Sequence, residues 1–306
     1  MEQPISIRLV RHGAIESDKW NVCIRTAANG LIYAQSAYLD AMAGKWDALV
    51  VGDYETVMPL TWKKKWGINY LYQPFLTAQG GIFGEQAAAR TPAFLAFLQK
   101  EYRFAEICLN YGNTSAALPA GATLRNNFVL SLAAPYDVLS TYFNENTRRN
   151  SKKCRQAGAV FSQLADAEQV ITIATRQMQA QGHQPGEGVQ RFRKIFQQLA
   201  TANSAKAFGV FDTTGFLLAS AVFFYGNNRA YYILVGNSPE ARQTGASHML
   251  IDCFIEQHAG SGLLLDFEGS DIPSLAHFYK GFGAENQPYP FYRYNHLPFF
   301  IRWLKR

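Results

Sequence analysis

Two short stretches late in this chain of 306 residues combine residue types and spacings suited to group transfer. Arg242, Gly245, Ala246 and Ser247 lie between an apolar run ending in Val235-Gly236 and a second run, HMLIDCFIEQH. A strand that ends there and a helix that opens there present unpaired N–H groups and a helix dipole to an anion such as phosphate. Further on, Asp266 and Glu268 alternate within LLLDFEGS. On a strand both project to one face, where a carboxylate can deprotonate an attacking amine. The same carboxylates can equally form salt bridges or cap the next helix, and Asp271, shortly before Pro273, fits such a cap. Lys280 can neutralise a phosphate or simply face solvent.

A third group is basic. Arg148, Arg149, Lys152, Lys153 and Arg155 are opposed locally by Glu145 alone. The net charge is +6; 12 basic and 10 acidic residues precede Pro135, and 17 and 13 follow it, so this cluster alone matches the excess of its half. It suits the phosphates of an RNA or of a nucleotide-linked acceptor, or forms a solvated helix face. Few aromatic residues lie beside it, which argues against a single-stranded RNA surface.

The elements that position these residues follow from periodicity. In the second half, helices are expected over 136–157, 167–181 and 189–201, the first ended by Gly158. A hairpin over 207–211 and 217–224 turns at Asp212-Thr213-Thr214-Gly215. A strand over 230–235, the loop, a helix, a strand over 263–270 and a helix ending near Gly283 come next. The first half reads as a strand over 5–10, helices up to Met42, a hairpin over 48–52 and 56–62, and a strand over 68–72. A Gly80-Gly81 loop, a helix over 92–102, a strand over 105–109 and further strands within 124–132 complete it. Hairpins beginning near Ala48 and Ala207, and later strands near Ala105 and Leu263, keep a nearly constant separation. That predicts a duplicated unit. The expected fold is α/β (α+β), two domains over 1–135 and 136–306, each a mixed sheet flanked by helices, with Phe299 to Leu304 packing on the first.

Composition narrows the class. With 48% hydrophobic and 17% charged residues, the chain reads as ordered and globular. No run approaches the roughly 20 apolar residues of a membrane span, so stable membrane insertion is not expected. The first residues lack the apolar core of a signal peptide, and the expected location is cytoplasmic. Cys23, Cys108, Cys154 and Cys253 form no C-x-x-C pair and the six histidines show no ligand spacing, so no metal is expected. No G-x-S-x-G elbow, P-loop or Rossmann fingerprint occurs.

The Val235 to Ser247 stretch resembles the acyl-donor half of the GNAT superfamily, whose signature is Q/R-x-x-G-x-G/A at the opening of a helix. Arg242, Gly245 and Ala246 fit, and Ser247 stands where the family has Gly or Ala. The resemblance implies that these backbone amides bind the pyrophosphate of acyl-coenzyme A. Ala276, Tyr279 and Gly283 match the family's A-x-x-Y-x-x-x-G spacing, which implies that Tyr279 protonates the departing thiolate.

The tandem arrangement resembles the Fem-type (FemAB-like and FemX-like) transferases, which pass an amino acid from aminoacyl-tRNA to a peptidoglycan precursor. The residues that carry this are Thr147 to Lys153 with Ala157-Gly158, Leu265 to Ser270, Phe278 to Ala284, and Gln73-Pro74-Phe75 with Gly80-Gly81. The family's lysine lies in F-K-x-x-F-G, whereas Lys280-Gly281-Phe282-Gly283 is one residue shorter.

The resemblance implies transfer of an acyl or aminoacyl group to an amine, on a small molecule or a cell-wall precursor. The donor would be acyl-CoA (acetyl-CoA) or aminoacyl-tRNA, with tRNA then a partner. The implied catalytic residues are Asp266, Glu268, Tyr279 and Lys280; the donor would lie on Val235, Arg242, Gly245, Ala246 and Ser247. Arg148, Arg149, Lys152 and Lys153 would bind an anion or the acceptor. The first domain would be the acceptor side, with a degenerate donor site. An acetyl-CoA-dependent small-molecule N-acetyltransferase and a non-catalytic precursor-binding protein are the alternatives.

Overall fold

The computed structural model describes residues 6–114, 121–184 and 186–302. The chain forms two compact units, one of residues 1–125 with 288–306 and the other of residues 126–287. In chain order the first unit has β1 (Ile7–Val10), α1 (Ser17–Thr26), α2 (Ser36–Met42), β2 (Trp46–Val51), β3 (Thr56–Lys65), β4 (Ile68–Tyr72), β5 (Phe83–Gly84), α3 (Ala87–Glu101), β6 (Phe104–Cys108) and β7 (Ala122–Arg125). The second has β8 (Asn127–Ser131), α4 (Tyr136–Leu139), α5 (Glu145–Gln156), β9 (Val160–Gln163), α6 (Glu168–Ala180), α7 (Glu187–Thr201), β10 (Ala205–Phe211), β11 (Leu217–Gly226), β12 (Arg229–Asn237), α8 (Ala241–Thr244), α9 (Ala246–His258), β13 (Leu264–Gly269), α10 (Pro273–Lys280) and β14 (Glu285–Asn286). The chain then rejoins the first unit as β15 (Tyr289–Asn295) and α11 (Phe299–Arg302).

Each unit is a mixed sheet flanked by helices. The first orders its strands β1-β2-β3-β4-β6-β15-β7, with β5 on β3; the second orders them β14-β8-β13-β12-β11-β10-β9. In each, one parallel pair, β4 with β6 or β12 with β13, joins strands separated by a helix. The β12 run Ala230–Leu234 is buried throughout, as befits a central strand covered on both faces. Phe208, Phe223, Phe254, Phe267 and Phe282 pack with it in the second core. Leu60, Leu71, Phe94, Ile107, Tyr292 and Tyr294 pack in the first.

Several boundaries differ from expectation. The units divide at Arg125/Asn126 and not at Pro135, because β8 pairs with β13 and β14 of the second unit. The C-terminal strand β15 lies between β6 and β7 in the first sheet, so 288–306 do not belong with 136–287. The helix expected over 136–157 breaks at Phe143-Asn144, where the Asn144 side chain accepts the Thr147 N–H at 2.8 Å and starts α5 anew. The helix expected to open at Pro92 begins at Ala87 and holds that proline inside. Of the C-terminal stretch, Phe299 and Phe300 are 86% and 62% exposed, and residues 303–304 lie outside the described residues.

Candidate functional site in the second unit

The site begins with a parting of two strands. β12 and β13 pair only from Arg229↔Leu264 to Tyr231↔Asp266, while β12 stays bonded to β11 as far as Asn237↔Ala219. The register of β12 against β11 shifts immediately after Tyr232, so Ile233 forms a bulge there, and a bulge bends its strand. Opposite, β13 loses register against β8 between Asp266 and Gly269, and Glu268 adopts φ 62°. The two strands splay from that point.

The loop after β12 leads into this gap. Gly245 takes φ 80° as it closes α8 and opens α9, and its N–H donates to the Ala241 carbonyl. A Cβ built there would lie 2.4 Å from the carbonyl oxygen of Asn150 on α5, so glycine is needed for conformation and for close approach. Ala246 is buried, Ser247 and Val235 are half-buried, and Arg242 is exposed.

Helix α5 brings the basic cluster to the same loop. Its buried stripe of Thr147, Ser151 and Cys154 faces the core, leaving Arg148, Arg149, Lys152 and Lys153 exposed. Lys153 Nζ donates to the Gln243 carbonyl at 2.7 Å, tying it to the loop. Arg155 turns elsewhere, to Asp252 at 3.2 Å and Glu256 at 2.8 Å. Buried Asp252 also accepts from Tyr136 at 2.6 Å and from Ser151, and so clamps α5 to α9. Helix α5, which carries exposed Arg148, Arg149 and Lys152, therefore runs beside the opening of α9.

The two alternating acids have different surroundings. Asp266 is buried and ion-paired to equally buried Arg229 at 2.8 Å, while its second oxygen accepts the Glu268 N–H at 2.9 Å. Burial raises its pKa, and Arg229 opposes that rise. Asp266 is thus a carboxylate that shapes the bulge, contrary to the expectation that both acids share one open face. Glu268, turned by its positive φ, is half-buried.

Tyr279 of α10 stacks on Phe267 at 4.7 Å, and burial together with the Glu268 charge pushes its hydroxyl pKa well up. It stays protonated through the neutral range. Lys280 is exposed, its Nζ 5.6 Å from the centre of the Phe128 ring. Beside the opening of α9, His248 packs on Phe278 at 4.8 Å, and burial drives its pKa down to about 4. Sequence reasoning weighed His248 only as a metal ligand, rejecting it by spacing, and gave Arg229 no role. An arginine opening the apolar run of β12 was the available signal for a buried pair.

In the first unit the corresponding gap is stitched shut. Pairing of β4 with β6 ends at Tyr72↔Glu106, and Gln73 Oε1 accepts the next N–H, that of Cys108, at 2.9 Å. The Gly80 N–H donates to the Cys108 carbonyl at 3.0 Å, and Gln79 Oε1 accepts the Tyr111 N–H at 2.9 Å. Asn29, Asn110 and Asn113 converge on the Ile82 carbonyl. Among the described residues no group of three His, Cys, Asp or Glu is placed to hold a metal ion, and no helix is long and apolar enough to cross a membrane.

Residues 143–280 match the family model of the acetyltransferase (GNAT) domain. Among solved structures, FemX superposes with a TM-score of 0.66 at 12% identity, covering 93% of this chain and 97% of its own. The C-terminal domain of a protein described as a lysylphosphatidylglycerol synthetase, from Agrobacterium fabrum, gives 0.57 at 9% identity, covering 94% and 93%. A tandem GNAT protein from the clavulanic acid biosynthesis pathway gives 0.52 at 12% identity, covering 96% and 99%. Among curated proteins no sequence matches. Residues 143–280, most of the second unit, are thus similar to an acetyltransferase (GNAT) domain, and the chain shares the fold of FemX and of a tandem GNAT protein.

Proposed function

We propose that the second unit binds the acyl donor in the β12/β13 splay and transfers its acyl or aminoacyl group to an amine. The observation that carries this reading is the open splay beside the αL Gly245 that starts α9. The first unit's equivalent gap is filled by its own side chains, which supports a degenerate donor site there. Backbone amides of Ala246 and Ser247 with Arg242 would hold donor phosphate, and Arg148, Arg149 and Lys152 would extend that field. Lys153, bound to the loop, would serve as its tether.

The chemistry needs no covalent intermediate. The acceptor nitrogen attacks the donor carbonyl, Glu268 accepts the ammonium proton, and the departing thiolate, or ribose oxygen of an aminoacyl-tRNA, takes the proton of Tyr279. Holding amine and carbonyl together would supply much of the acceleration. The names of the structural neighbours, FemX and a lysylphosphatidylglycerol synthetase among them, favour an amine acceptor tied to cell wall or lipid.

The test is thermal unfolding with acetyl-coenzyme A, run on wild type, Arg242→Ala and Gly245→Glu. At a hundred dissociation constants, binding stabilises by about 2.7 kcal/mol. The wild type is expected to gain melting temperature and both variants to lose that gain. Glu268→Gln should keep the gain while transfer falls by about a hundredfold or more. If acetyl-coenzyme A gives no shift, transfer from aminoacyl-tRNA is the remaining form of the proposal, and inactivity with both donors refutes it.

A further inference from the structure

A second cavity in the same unit belongs neither to the splay nor to the α9 opening. It measures about 830 Å³ and runs along α6, between that helix, the β10–β11 turn and the end of β12. That volume is within the usual range for small-molecule sites, about 300–1,000 Å³. Glu168, Thr172 and Arg176 succeed one another along its wall at i, i+4 spacing, as do Gln169, Ile173 and Gln177, so the wall is one stripe of the helix. From Arg176 back to Glu168 the stripe spans roughly 12 Å, room for an extended alkyl chain of about ten carbons.

Three features of the lining point to a ligand. Phe216 forms the opposite wall and is 49% exposed, an unusual residue for a tight turn. The turn is rigid: Asp212 Oδ1 accepts the N–H groups of Thr214 and Phe216 at 2.8 and 2.9 Å, and the Asp212 N–H returns to the Phe216 carbonyl at 3.0 Å. The ring is thus held out over the groove, as a preorganised contact would be. Charge is unbalanced as well. Glu168 is engaged by Arg193 at 3.0 Å, whereas Arg176 makes no ion pair among the described residues. Finally, Ser238 lines the cavity, and its buried hydroxyl has no hydrogen-bond partner among the described residues.

We infer that this groove binds an anionic amphiphile, a linear chain of about ten to twelve carbons with a carboxylate head at Arg176. The chain lies along Ile173, Phe216 and Leu217, and the guanidinium takes the head in charge-assisted hydrogen bonds. The inference does not rest on the donor-site reading, because it concerns another cavity and its readout is binding alone.

The test is displacement of the fluorescent probe 11-(dansylamino)undecanoate from the purified full chain. Dodecanoate is expected to displace the probe saturably, and dodecanol, without the anionic head, to bind about tenfold more weakly. Arg176→Ala should remove that preference for dodecanoate, and Phe216→Ser should weaken both ligands about tenfold. Both side chains are exposed, so the variants are expected to fold, which their melting temperatures check. Non-saturable probe binding, equal affinity for dodecanol and dodecanoate, or binding unchanged in both variants would overturn the inference.

Discussion

Replacing Gly245 by alanine separates two reasons for having glycine there. The residue holds φ 80°, where a Cβ costs roughly 1–2 kcal/mol. A Cβ would also meet the Asn150 carbonyl oxygen at 2.4 Å and its carbon at 2.9 Å, both backbone atoms of α5 that can yield only by moving the helix. Overpacking of that kind typically costs a further 1–3 kcal/mol, giving about 2–5 kcal/mol in all. Gly262 supplies the control: its φ is 72°, and a Cβ there meets nothing within 4 Å. Gly262→Ala should therefore lose only the conformational part, roughly 1–2 kcal/mol. For a unit of this size each kcal/mol lowers the melting temperature by about 2–4 °C, so thermal unfolding by circular dichroism resolves the two variants. Equal losses at both positions would refute the close approach of α5 to the loop, and with it the structural reason for a basic helix beside α9.

Two further predictions concern titration and buried charge. His248 has a folded pKa of about 4 against an ordinary value near 6.5, so the unfolded chain binds the extra proton first. Stability from this residue is whole above about pH 6.5 and falls by up to about 3 kcal/mol as pH drops through 4; urea unfolding should show that slope in wild type and lose it in His248→Gln. Asp266→Asn leaves the Arg229 guanidinium buried beside Gln287 without its counter-charge, and should cost about 3–5 kcal/mol in denaturant unfolding. A loss under 1 kcal/mol would mean that Asp266 is not the anchor of the bulge.

Much of the second unit was legible because its elements are long and periodic. The hairpin, the β12 run and α9 each announce themselves, and the Arg242 to Ser247 loop stands between two of them. What sequence missed depends on contacts between distant residues. The alternation of Asp266 and Glu268 implies a common face only while the strand is regular. The bulge that turns Glu268 follows from Asp266 binding both Arg229 and the Glu268 amide. The basic cluster could be placed on a helix, but its position beside α9 depends on Gly245 meeting Asn150 and on Asp252 holding Tyr136, Ser151 and Arg155. The strand β15 was not expected from the sequence: the alternating Tyr292 and Tyr294 were its local signal, and only the pairing with β6 and β7 reveals its unit.

The placement of β15 has a consequence for the order in which the protein is made. Between β6 and β7 the first sheet awaits a strand that is translated only after all of residues 126–287. At about 5–20 residues per second the ribosome needs roughly 10–30 s to cover that distance. Throughout it the edge of β6, carrying buried Phe104, Ala105, Ile107 and Cys108, has no partner from its own unit. The second unit, whose chain is continuous, can close first, so the nascent chain exposes a sticky edge in its oldest part while its younger part is already folded. A holdase binding near residues 104–108 during synthesis would meet this chain's principal biogenesis hazard.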